Sequence, residues 1–160
     1  MKILYGIQGT GHGHISRARE ILPLLSEKAD VDVLLSGNNF KMDLDDNHNV
    51  NRKYGISLKY SSNGNGSVSY LKTALNIKPI RLLRDIQSLD IQNYSLVISD
   101  FEPVTAWASL QSGVPSIGLS HQSSFLSDKS PRPQKQSPFA EQVLKHFAPC
   151  HRPVGFHFQP

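Results

Sequence analysis

At 160 residues the chain is long enough to bury a core and is the size of one domain. Its 17 Lys and Arg outweigh 13 Asp and Glu, and the net charge of +4 suits an anionic ligand or a membrane surface without requiring a nucleic acid. The single cysteine, Cys150, excludes an internal disulfide and points to the reducing cytoplasm, no run approaches the ~20 apolar residues of a membrane span, and Gly6, Gln8 and Gly9 break the apolar start too early for a secretory leader.

The first element is an apolar strand, Ile3-Leu4-Tyr5-Gly6-Ile7, followed at once by the turn Gly9-Thr10-Gly11-His12-Gly13-His14. Glycines let backbone come close to a ligand, and the helix that follows offers unpaired N–H groups and a partial positive charge. The turn is not a dinucleotide fingerprint, because the third glycine position falls on His14, and no Gly-Lys-Ser/Thr triplet makes it a phosphate loop. The second strand also lacks the terminal acid that would bind a ribose diol. Two imidazoles in a glycine turn suggest instead a place where a polar substrate is held, by Gly9, Thr10, Gly11, His12 and Gly13, and a proton is moved. His12 and His14 form an H-x-H pair with no third ligand in view, so no metal is expected.

A helix is predicted from about His14 to Lys28, with Ile15, Ala18, Ile21, Leu22 and Leu25 at helical spacing facing a sheet and Arg17, Arg19 and Glu20 pointing mostly elsewhere. Val31 to Leu35 reads as the second strand. Asn38 to Asn51 reads as a short helix and loop, and the alternation of Ile56, Leu58 and Tyr60 as a third strand. Ser61 to Ser69 is a loop. Tyr70 to Ile77 and Pro79 to Leu89 read as two helical pieces with a solvated basic face, which also fits a surface resting on anionic lipid headgroups.

Leu96-Val97-Ile98 is a buried strand ending at Ser99-Asp100-Phe101-Glu102. Pro103 opens the next helix, Ala106, Trp107 and Leu110 give its apolar face, and Gly113 and Pro115 stop it. Ser116 to Leu119 is a strand running into His121-Gln122. Ser123 to Ser137 reads as a flap, and Ser137-Pro138 begins a helix through Phe147 with Val143 and Leu144 inward. Val154 to Phe158 is strand-like and reads as part of something longer. The strand and helix signals alternate, which predicts an α/β, Rossmann-like parallel sheet with helices on both faces. Gly9 to His14, Asp100 with Glu102, and His121 with Gln122 all fall at the C-terminal ends of strands, the edge where such sheets bind ligands.

These residues carry a family resemblance. GTGHGHISRA, VISDFEPVTAWASLQSGVPSIGLSHQ and the closing VGFHFQP resemble the N-terminal half of a two-domain GT-B glycosyltransferase. The branch is similar to the enzyme that adds N-acetylglucosamine to the peptidoglycan lipid precursor. The resemblance implies an acceptor-binding domain over residues 1–150, the start of an interdomain linker at 151–160, and a donor-binding C-terminal domain beyond these residues, without which the 160 residues are not expected to turn over. It implies a nucleotide-sugar donor, a UDP-sugar, and a glycan or lipid-linked acceptor of the cell envelope. No cofactor besides that co-substrate is expected, and contact with the membrane would be peripheral, at the inner face of the plasma membrane. His14 matches the family's histidine and would act as base in an inverting transfer; Asp100 or Glu102 would orient it or serve in its place. His121 and Gln122 correspond to a polar segment that touches substrate. A nucleotide-sugar epimerase or hydrolase on the same fold, or a non-catalytic glycan- or lipid-binding module, remain the competing readings.

Overall fold

A computed structural model describes residues 1–10, 12–37, 49–57, 59, 72–73, 77–127 and 138–156. In chain order the elements are β1 (Lys2–Gln8), α1 (His12–Ser26), β2 (Asp30–Ser36), β3 (Asn49–Lys53), α2 (Pro79–Gln87), β4 (Leu96–Asp100), α3 (Pro103–Ser112), β5 (Ser116–Ser120), the 3-10 turn η1 (Gln122–Leu126), α4 (Pro138–His146) and β6 (Arg152–Gly155). The six strands form one sheet in the order β3-β2-β1-β4-β5-β6, and every described pairing is parallel. The chain therefore winds outward from β1 to one side and then from β4 to the other. The gap between the C-terminal ends of β1 and β4 is the topological switch point of a doubly wound sheet.

Alternation along the strands fixes the two faces. Ile3, Tyr5, Ile7, Val31, Val33, Leu35 and Ile98 pack under Ile15, Ala18 and Leu22 of α1. On the other face Leu4, Leu34 and Val97 pack against Ile86 of α2 and Val104 and Ala108 of α3. The helical spacing predicted for α1 is thus the spacing observed, with Ile21 and Leu25 completing its inner stripe. On α3, Leu110 of the expected apolar face is exposed, while Val104 and Ala108 take the contact. A small third cluster of Ile56, Phe101 and Phe147 sits under Val143 and Leu144 of α4, as their sequence positions predict. Gly6 lets α3 come down on β1: a Cβ there would overlap the Thr105 side chain.

Two strands depart from the sequence reading. The third strand is Asn49–Lys53 and not the segment beginning at Gly55, because Gly55 takes a φ of 54° and gives its N–H to Asp85 rather than to a neighbouring strand. Ile56 goes instead to the third cluster, and its carbonyl accepts from the Gln8 amide at 2.9 Å. Residues 152–155 form the edge strand β6, in register with residues 117–120 of β5, so the strand-like segment expected from Val154 starts two residues earlier, at Arg152. Both β3 and β6 are edge strands with little to bury, so polar residues fill β3 and open β6. The helix and loop expected over Asn38 to Asn51 fall outside the described residues up to 48, as do Leu58, Tyr60, the loop from Ser61 to Ser69 and residues 128–137 of the flap.

Candidate active site

The turn after β1 leads straight into α1. Gly9 gives its N–H to the Ser36 carbonyl at 2.7 Å, so the end of β2 anchors the turn. Thr10 is buried, His12 and Gly13 are exposed at the start of the helix, and Gly11 lies outside the described residues. A Cβ on Gly13 would meet nothing within 4 Å. No packing within the described protein therefore requires glycine at 13.

His14 is buried on the inner face of α1. In the β1–β4 register Ile7 stands beside Asp100, and Ile7 faces α1, so parity points the Asp100 side chain at the same helix. Asp100 Oδ1 lies 2.7 Å from His14 Nδ1. The carboxylate is fully buried and accepts two further bonds from Arg17, 2.8 Å from Nε to Oδ2 and 2.6 Å from Nη2 to Oδ1. Arg17 Nη2 also lies 3.1 Å from His14 Nδ1, and the Phe156 ring lies 5.1 Å from the guanidinium carbon. With Nδ1–H donated to Asp100, the lone pair of His14 sits on Nε2.

Glu102, two residues on, points elsewhere. It is the N-cap of α3: its carboxylate accepts from Val104 N–H at 2.8 Å, Thr105 N–H at 2.7 Å, the Thr105 hydroxyl at 2.7 Å and the Ser36 hydroxyl at 2.7 Å. Burial pushes its carboxyl above the ordinary range, against the pull of those donors. Phe101 between the two carboxylates has a φ of 52°, a left-handed conformation that costs a non-glycine residue about 1–2 kcal/mol. Its ring stacks on Phe147 at 4.7 Å between centroids.

His121 and Gln122 lie at the C-terminal end of β5, on the same sheet edge. His121 is exposed and meets Phe125 edge-on, and Gln122 is half-buried with its Oε1 shielded from solvent and without a partner among the described residues. Of the residues singled out in the sequence, the fold joins His14 to Asp100 directly and sets Glu102 to a separate cap. Arg17, expected to point mostly away from the sheet, instead reaches in to Asp100, and Phe156 was not singled out. The signal for Arg17 was its spacing of three from His14, which puts both side chains over one patch of the sheet.

A family model for glycosyl transferase family 1 matches residues 1–154. The chain belongs to glycosyl transferase family 1. In fold it is similar to MurG of Acinetobacter baumannii, with a TM-score of 0.53 at 14% identity over all of this chain. The match covers 47% of the MurG chain, so this chain spans about half the length of the structure it matches. No curated protein matches the sequence. The fold is that of one Rossmann-like half of a GT-B enzyme, with the His14–Asp100 pair at its switch point. Among the described residues no three His, Cys, Asp or Glu gather as a metal site would require.

Replacing Glu102 with Ala leaves two backbone N–H groups and two hydroxyls without their acceptor. The expected loss is about 1–3 kcal/mol, read as a lower denaturant midpoint with an unchanged slope.

Proposed function

We propose that this chain is the acceptor-binding half of a glycosyltransferase that takes a sugar from a UDP-sugar and places it, with inversion, on a cell-envelope glycan or lipid-linked acceptor. The observation that carries the reading is the 2.7 Å contact of His14 Nδ1 with the buried Asp100 at the switch point. In that geometry Nε2 of His14 accepts the acceptor's hydroxyl proton. The freed oxygen forms the new bond to the anomeric carbon, and the bond from that carbon to the phosphate oxygen breaks with its electrons leaving on the nucleoside diphosphate. Asp100 holds the ring tautomer and faces the positive charge that develops on it. Glu102, spent on the cap of α3 and on Ser36, holds the strand ends together instead of moving the proton. Gly9, Thr10, His12 and Gly13 line the approach, and His121 and Gln122 face substrate from the next strand end. The donor-binding half is a second domain, and the reaction uses no metal.

The chain's outer surface supports peripheral contact with an anionic membrane at the cytoplasmic face. Ile77, Ile80 and Leu83 are exposed, Ile80 at 78%, and they alternate with Lys78, Arg81 and Arg84. A cavity of about 520 Å³ opens beside Lys78, Ile80, Arg81 and Arg84. Leu82 of the same helix faces inward instead, against Ile56 and Phe101 on one side and Leu4, Leu34 and Val97 on the other. Among the described residues no helix is long and apolar enough to cross a membrane.

Three outcomes test this reading. His14→Ala in the full protein should cut UDP release from UDP-sugar and acceptor by about 10²–10⁴ with an unchanged circular dichroism spectrum; native turnover would remove His14 from the reaction, and a product formed without acceptor would point to an epimerase or hydrolase. Gly13→Ala should raise the unfolding midpoint, since alanine is favoured over glycine in a helix by about 0.5–1 kcal/mol, yet raise the KM for acceptor; unchanged kinetics would mean no ligand comes close there. The double change Ile80→Ser, Leu83→Ser should weaken sedimentation with vesicles containing anionic phospholipid severalfold, and equal binding by both proteins would discard the membrane surface.

A further inference from the structure

Asp100 faces two nitrogen bases with one negative charge, and the two are not equivalent. Arginine stays protonated at every physiological pH, and its planar fork matches a carboxylate in two parallel bonds. Arg17 makes that bidentate contact through Nε and Nη2, while His14 offers Asp100 a single bond through Nδ1. A fully buried carboxylate needs a counter-ion, and without Arg17 the nearest candidate is the His14 ring.

We propose that Arg17 is the positioning residue of this site: it supplies the counter-ion to Asp100 so that His14 is oriented by the carboxylate without being recruited as its ionic partner. A ring already protonated on both nitrogens cannot take a proton from an acceptor hydroxyl. Arg17 therefore keeps Nε2 open, and its Nη2, 3.1 Å from Nδ1, opposes a second positive charge on the ring. Phe156 fixes the outer side of the guanidinium from the residue after β6. The catalytic consequence rests on the reading of His14 as base; the charge assignment does not.

Among the described residues, the ionisable and charged groups at His14 and its partners are Asp100 on β4, Arg17 on α1 and Tyr5 on β1, whose phenol is pushed up by burial and by Asp100, while Glu102 after β4 is turned to the cap of α3. On β2 the charged residues Asp30 and Asp32 lie toward the opposite edge of the sheet, and Arg152 begins β6 at that same far edge. Asp100 and Arg17 are thus the pair that sets the charge at the ring.

The test is Arg17→Gln in the full protein labelled with ¹⁵N-histidine, with the His14 ring assigned by comparison with His14→Ala. The expected result is a ring protonation midpoint raised by about 1 unit or more over the native protein. Transfer should fall most near neutral pH and recover as pH rises. Arg17→Lys, which keeps the charge without the fork, should leave the ring titration near the native one. An unmoved titration in Arg17→Gln, with activity lowered equally at all pH, would overturn the proposal. Should Arg17→Gln fail to fold, a rise in Arg17→Lys equal to that expected for Gln would overturn it instead. If the titration moves as expected but His14→Ala transfers at the native rate, Arg17 keeps its role and the base reading falls.

Discussion

The structure turns on a carboxylate buried completely at the end of a central strand. Asp100 has no solvent to stabilise its charge, so it must be surrounded by donors, and those donors come from the first two turns of a helix more than 80 residues earlier in the chain. That requirement ties α1 to β4 across the switch point and brings a histidine and an arginine together over the same oxygen. The pairing also sets the angle at which α1 leaves the glycine turn, because His14 and Arg17 can both reach Asp100 only when their shared face points at the sheet.

The turn after Asp100 shows what holding it there costs. Two buried carboxylates stand two residues apart and are satisfied on different sides, Asp100 by α1 and Glu102 by the N-terminus of α3 and Ser36 of β2. Phe101 absorbs the reversal with its left-handed backbone. The stack on Phe147 and the four bonds at Glu102 offset that strain. Gly6 belongs to the same solution, since the close approach of Thr105 to β1 is what places the start of α3 under Glu102. The two carboxylates thus divide the work: one cap fixes the frame, and the other is left for the site.

Much of this was legible in the sequence, for reasons that can be named. α1 announces itself by a full apolar stripe, and α3 by Pro103 at its first position and Gly113 in a left-handed conformation at its end. Strands β1, β2, β4 and β5 are apolar because both faces of the sheet are covered. β3 lacked that signal and β6 carried it only from Val154 on: Asn49–Lys53 buries no side chain fully, and Arg152–Gly155 is exposed throughout. The edge of the site was visible because polar residues end three strands, yet its partners were not. A charged residue on an amphipathic helix is normally assigned to solvent, and Arg17 breaks that rule because a carboxylate from a distant strand receives it. Nor can periodicity separate Asp100 from Glu102, since they share a strand-like parity and only the reversal at Phe101 parts them.

The stack of Phe156 on Arg17 extends the network to the far margin of the sheet. β6 is the last strand, and Gly155 is pressed against Ser124 so closely that a Cβ would overlap its backbone. The Ser124 hydroxyl reaches the Phe156 carbonyl at 3.3 Å, and η1 is held by Ser124 N–H on the His121 carbonyl. Phe156, directly after β6, is therefore fixed at two points, one on the turn after β5 and one on the guanidinium that balances Asp100. A displacement of Phe156 would be felt first by Arg17, the group on which the charge at the His14 ring depends. Position and charge are coupled in one chain of contacts that runs from the sheet margin through Phe156, Arg17 and Asp100 to Nδ1 of His14.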